Sequence, residues 1–129
     1  MKRIIISLAI FFGIIALFVG SFMGYLMLNQ STVLQETIAP IDISTVPDGT
    51  YIGNYDQGRW KNTLEVVVED GAIIEVNIID DMTFSDGIHT AVLFERVKTV
   101  QNLDEVDTVS GGTVSSIAYL KAIEDALRP

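Results

Sequence analysis

Leu64-Glu65-Val66-Val67-Val68-Glu69-Asp70-Gly71-Ala72-Ile73-Ile74-Glu75-Val76-Asn77-Ile78-Ile79-Asp80 decides the fold. Two runs rich in β-branched residues flank Asp70-Gly71. That dipeptide suits a tight hairpin, because both of its residues accept a left-handed backbone. Residues 64–69 partly alternate and read as a strand. Residues 72–80 read as the return strand, with Ile74, Val76 and Ile78 on one face and Glu75 and Asn77 on the other. Ile73 and Ile79 interrupt the polar face, which points to partial cover by a helix. Upstream, the domain starts at Asp48-Gly49, Thr50 to Tyr55 forms a first short strand, and Gln57-Gly58 makes a turn. Tyr51, Tyr55 and Trp60 suit packing within the sheet or stacking on a planar ligand.

Downstream the period changes. Residues 80–87 are loop-like, and His89 to Gln101 places Leu93, Val97 and Val100 at helical spacing between charged residues, an amphipathic helix. A last helix runs from about Thr113 to Leu127, with Val114, Ile117, Leu120 and Leu127 turned inward. The expected fold class is therefore α+β: a small antiparallel sheet with about two packed helices. It is preceded by an N-terminal transmembrane helix.

That first helix is read from Ile4 to Leu28, a stretch with no charged residue. At about 1.5 Å per residue it reaches roughly 37 Å, against a hydrocarbon core of about 30 Å. A cleaved signal peptide has an apolar region of only about 7–15 residues and a small-residue cleavage site. Residues 1–28 are accordingly expected to be a retained signal anchor. Residues 29–47, polar and holding Pro40 and Pro47, are expected to be a linker with reach above the membrane, and residues 48–129 the folded domain. Lys2 and Arg3 precede the span, which predicts a single-pass chain in the cell membrane with its C-terminal domain on the extracytoplasmic side.

Charge and composition exclude several functions. All 17 acidic residues follow the span, against six basic ones (Arg59, Lys61, Arg96, Lys98, Lys121 and Arg128), so the outer part carries −11. Nucleic acid and anionic surfaces are poor partners for it. The absence of cysteine removes disulfides, thiolate nucleophiles, iron–sulfur clusters and a lipoprotein anchor. With His89 as the one histidine, no His/His or His/Cys zinc site can form. A triad would need His89 beside Ser110 or Ser115, and nothing in the sequence argues for that; His89 reads as a solvated residue near a helix start. Asp80 and Asp81 point to opposite faces of a strand and read as a solvated turn. No catalytic residue and no metal ligand is expected.

The run Asp107-Thr108-Val109-Ser110-Gly111-Gly112-Thr113-Val114-Ser115-Ser116 stands at the start of the last helix. Backbone N–H groups at a helix N-terminus carry partial positive charge and suit a phosphate. Glycines allow a ligand to approach closely. The same residues also suit an N-cap and a turn.

The chain resembles the FMN-binding domain family, the small domain of the flavin-carrying subunits of the sodium-pumping NADH:quinone oxidoreductase and Rnf complexes. The resemblance covers roughly residues 48–127. It rests on Asp48-Gly49-Thr50-Tyr51-Ile52-Gly53, on the hairpin around Val68 to Ile73, and on Asn102 to Ser116. It implies FMN as cofactor, joined through its phosphate to a hydroxyl by a flavin transferase. The implied acceptor is Ser115, the sixth residue of Ser110-Gly111-Gly112-Thr113-Val114-Ser115. Thr113 and the amides of Gly111 and Gly112 contact the phosphate in this picture, Ser116 is a neighbouring hydroxyl, and Asp107 matches an acidic position before the run. Gly112 stands where the family usually has alanine, and Ser115 where threonine is commoner. The implied role is an electron carrier between a membrane redox donor and an extracytoplasmic acceptor rather than a self-contained enzyme. Two other roles fit the same residues: a subunit of an Rnf-like membrane complex, and a binding or sensory module without flavin in which Ser110 to Ser116 only caps the helix.

Overall fold

The computed structural model describes residues 1–128. The chain folds as α1 (Lys2–Met27), α2 (Gln30–Leu34), β1 (Gly49–Tyr55), β2 (Asn62–Glu69), β3 (Ala72–Asp80), α3 (Gly87–Val100) and α4 (Thr113–Leu127). The three strands form one antiparallel sheet in the order β1-β2-β3. This is the α+β arrangement expected from the sequence.

The hairpin turns where the sequence places it. Asp70 and Gly71 have φ of 51° and 73°, both left-handed, as a two-residue turn that follows the strand twist requires. The facing of β3 differs from the simple alternation. Val68 pairs with Ile73 and Val67 with Glu75, leaving Ile74 as an extra residue in a β-bulge. The bulge turns Ile74 outward and Ile73 inward, so the expectation of Ile74 on the core face is corrected: Ile73 is buried and Ile74 is exposed. A second bulge skips Ile79 between the Leu64–Ile78 and Thr63–Asp80 pairs, and Ile79 is exposed as well. The side-chain amide of Gln101 pairs with Ile73, accepting from its N–H at 2.7 Å and donating to its carbonyl at 2.8 Å. The edge of β3 is thereby satisfied at Ile73 without another strand.

The sheet presents one apolar face, built from Leu64, Val66, Val68, Ile73 and Val76. Both longer domain helices contribute to the core on it: Leu93, Phe94 and Val97 from α3, and Tyr119, Leu120, Ile123 and Leu127 from α4. Phe94 and Tyr119 meet edge to face, with centroids 5.5 Å apart. Trp60 is fully buried in the same core, so its part is packing. The tightest approach is at Gly53 on β1. A Cβ there would overlap the carbonyl oxygen of Ala122 and stand 2.7 Å from the Cβ of Ala126. Only glycine lets α4 lie this close to the strand.

Residues 29–47 are ordered against the domain instead of hanging free. Val33 in α2 and Ile43 in the 3-10 turn Ile43–Thr45 are buried. Lys121 of α4 donates to the carbonyl of Thr37 at 3.3 Å, and the N–H of Ala39 reaches Glu124 Oε2 at 3.4 Å. Glu124 is itself buried and is paired with Lys121 at 3.0 Å and with Arg128. Tyr55 completes this cluster by donating to Glu36 at 3.5 Å. Polar residues in this segment thus secure a seam whose apolar points are Val33 and Ile43. The first helix, α1, has no buried residue and is long and apolar enough to cross a membrane.

Gly53→Ala is expected to destabilise the domain by about 1–3 kcal/mol through overpacking, measured by urea unfolding followed through the fluorescence of Trp60. Burial first, and then the charge of Glu36, push the Tyr55 hydroxyl from 10.0 up to about 12. The folded state thus holds a proton that the unfolded state has released. The stability this gives is complete below pH 10 and is lost as pH rises through about 12. The fall in unfolding free energy across that window is expected to be smaller in Tyr55→Phe than in the parent chain.

Candidate functional site

The start of α4 forms one wall of a cleft. Thr113 is the first helical residue and Gly112 its N-cap, a residue that brings no side chain to the exposed amides. Side-chain capping is absent at this terminus, so the helix-cap use of the hydroxyls is not realised there. Its first-turn donors and the positive end of the helix face outward. Gly111 has φ of 83°, which only glycine adopts easily. Gly112 has an ordinary φ of −132°.

The hydroxyls of the motif divide sharply. Ser116 is buried, and its Oγ accepts the N–H of Val109 at 3.1 Å. It therefore holds the loop closed. Ser115, half-buried, lines the cleft beside Gly111, Gly112 and Ser116. Ser110, Thr113 and Asp107 are exposed and lie outside the cleft lining. The loop that carries Asp107 is fixed by its backbone: Arg96 Nη1 donates to the carbonyls of Asp107 at 3.0 Å and Thr108 at 2.9 Å.

The opposite wall comes from the loop before α3 and from its first turn. Asp86 is the N-cap of α3 and accepts from the N–H groups of Ile88 at 2.9 Å and His89 at 3.4 Å. This terminus is satisfied by its own carboxylate, in contrast to that of α4 across the cleft. The second oxygen of Asp86 lies 3.3 Å from His89 Nδ1. His89 does stand near a helix start, but it is half-buried, and its ring lies over the glycine loop. A Cβ on Gly111 would be 3.5 Å from its Cε1, and one on Gly112 equally 3.5 Å from its Cβ. Both are ordinary contacts, so at Gly112 an alanine would fit without movement.

Tyr119 forms the floor. Its hydroxyl donates to Asp81 Oδ1 at 2.5 Å and accepts from Thr90 at 3.4 Å. Burial and the Asp81 carboxylate hold it well above the usual tyrosine range, so it remains a neutral donor. Asp81 also accepts from Ser85 at 2.7 Å. Arg59 closes the cleft at the sheet end, with its guanidinium 4.1 Å from the centroid of the Trp60 ring and its Nε donating to the carbonyl of Leu26 at 2.9 Å.

The cleft encloses about 230 Å³. Pockets that take a whole ligand are usually about 300–1,000 Å³. This one suits a phosphate and the polar chain next to it. It offers an uncapped helix terminus, a guanidinium, an imidazole and a free-standing serine, a donor set that fits a phosphate ester. Arg59, His89, Asp86 and Tyr119 were not among the residues expected at the site. Their place depends on contacts between elements far apart in the chain. The spacing Asp86-Gly87-Ile88-His89 at a helix start is the one local signal that could have drawn attention to two of them.

The chain matches the family model described as the FMN-binding domain over residues 58–128. That match spans the sheet from the turn before β2, the cleft and α4. Comparison with curated proteins and with solved structures finds no match. With more than half of its length inside the matched region, the chain belongs to the FMN-binding domain family, and FMN is its cofactor.

Proposed function

We propose that the protein is a membrane-anchored, extracytoplasmic electron carrier whose FMN is esterified through its phosphate to Ser115. The observation that carries this reading is the division of labour between adjacent serines: Ser116 is buried and engaged, whereas Ser115 lines the cleft at an uncapped helix terminus. Ser115 Oγ bonds to the flavin phosphorus as the phosphoanhydride bond of an activated flavin dinucleotide breaks; the Ser115 proton goes to solvent and a nucleoside monophosphate leaves, so the chain gains FMN less the elements of water. A flavin transferase is the partner that makes this bond.

Each cleft residue has a part in this reading. The α4 amides and Arg59 neutralise phosphate charge, His89 packs on the glycine loop and keeps it in shape, and Asp86 orients His89. FMN supplies reversible uptake and release of electrons. The helix terminus alone contributes only about 0.3–1 kcal/mol at an exposed site. The outer part carries −11, which disfavours a free anion in bulk. A covalent link answers both problems, because a tether holds the cofactor at an effective concentration on the order of mM. Electrons enter from a membrane redox donor and leave to an extracytoplasmic acceptor. The single apolar span, with Lys2 and Arg3 before it, supports the single-pass placement.

The test is the intact mass of the full chain made in an export-competent host together with a flavin transferase. The expected mass gain is that of FMN minus water, and it is lost in Ser115→Ala. It persists in Ser116→Ala, which instead lowers stability by about 1–3 kcal/mol by leaving the Val109 amide unpaired. It also persists in Gly112→Ala, where the methyl fits. An unmodified, colourless parent chain overturns covalent attachment.

A further inference from the structure

Phe84 belongs to the cleft and to the first helix at once. It lines the cavity, and its ring packs edge-on against Phe22 of α1, with centroids 6.5 Å apart. Two further contacts join the same end of the domain to the end of α1. Arg59, also in the cleft, donates to the carbonyl of Leu26, and the side-chain amide of Asn29 lies against Gly58.

The helix is a ruler for depth. Twenty residues counted from Ile4 fill a hydrocarbon core of about 30 Å and end at Met23. Phe22 therefore lies at the outer edge of that core, and Leu26 about 6 Å further out at the level of the headgroups. A ring in contact with Phe22 shares its depth.

The loop around Phe84 is built for such a position. Phe84 has φ of 60°, rare for an aromatic residue, and is 64% exposed. Ile88, the second residue of α3, is 77% exposed. The neighbouring carboxylates are exposed but engaged with the chain itself: Asp81 accepts from Met82, Ser85 and Tyr119, and Asp86 from Ile88 and His89. The loop thus offers apolar side chains outward while its carboxylates are held in hydrogen bonds.

Resting on the anchored reading above, we propose that Phe84 and Ile88 are seated in the outer leaflet that holds the chain's own span, and that the FMN cleft opens at the bilayer surface with Phe84 as its lipid-side wall. Apolar side chains of this kind bury readily at the headgroup boundary. Attraction to anionic lipid plays no part, given the charge of −11 on the outer domain. A cleft opening there meets redox partners held in the membrane.

The chain has no cysteine, so single nitroxide labels can be placed without background. Four full-length variants, Phe84→Cys, Ile88→Cys, Phe12→Cys and Glu69→Cys, are labelled and reconstituted in phosphatidylcholine vesicles. Collision with oxygen, which enters lipid, is compared with collision with a water-soluble nickel chelate. Position 12 marks mid-span. Position 69 lies at the far end of β2, about 23 Å from Asn62 at a strand rise of about 3.3 Å per residue. The expected oxygen-to-nickel ratio at 84 and 88 is several-fold above that at 69 and approaches that at 12. Adding Phe84→Asp to the Ile88→Cys chain is expected to return position 88 to the ratio of position 69. Positions 84 and 88 as wet as 69, with 12 in lipid, overturn the seating while leaving the anchor standing. Water exposure at 12 overturns the anchor and the seating together.

Discussion

The close approach of α4 to β1 at Gly53 is the constraint on which the rest depends. With no side chain between them, the helix backbone lies almost on the strand, and its apolar residues reach the sheet. A helix is stiff along its axis, so fixing it near Ala122 and Ala126 also fixes its first turn. That first turn is one wall of the cleft. The core and this wall of the proposed cofactor site are therefore one rigid element, against which the glycine loop and the loop before α3 are set. The other end of α4 is tied as firmly. The buried Glu124, held between Lys121 and Arg128, brings residues 36–39 against the helix.

Much of this was legible in the sequence, and the failures have physical causes. Asp70-Gly71 named its turn because both residues accept positive φ, a local property. The start of α4 at Thr113 followed from two glycines before a helical period, also local. The facing of β3 was misread at Ile74, because a bulge adds a residue to one strand and shifts the alternation by one. A run such as Ala72-Ile73-Ile74 has apolar residues in both phases, so composition cannot say which one the bulge expels. Residues 29–47 lack a period, since Val33, Ile38, Ile41, Ile43 and Val46 dock at irregular spacing rather than as one helix or strand face. Ser115 and the glycines were readable as a motif. Arg59 and His89 were not, because they reach the cleft from β2's preceding turn and from α3, and only the fold brings those together.

On the proposed site, the two helix termini that face each other account for how an acidic domain would accommodate an anionic cofactor. Net charge acts through solvent, where screening over about 8 Å weakens it. The cleft acts at contact distance. Asp86 satisfies the terminus of α3, so that end is already neutralised. The terminus of α4 has no such partner and is joined by Arg59. Had Asp86 and Gly112 been exchanged, an acidic cap would occupy the place proposed for the phosphate. On that proposal glycine at the N-cap of α4 serves the ligand more than the helix, which loses a side-chain cap as a result.

The order of residues 29–47 bears on what the proposed carrier could do. A free tether of that length would let the domain swing between distant partners. Here Val33, Ile43 and the Glu36 to Ala39 contacts hold the segment on the domain, and Arg59 grips the last turn of α1 through Leu26. The domain is consequently stationed on its own helix. Under the proposed anchoring, reach would have to come from the partners or from motion of the whole chain in the plane of the membrane. The cleft, which lies at the end of the domain nearest α1, is then presented at a constant height. For the electron-carrier role proposed above, in which transfer would depend steeply on distance, a constant height would be worth more than a long arm: a partner matching it would meet the cofactor at each encounter.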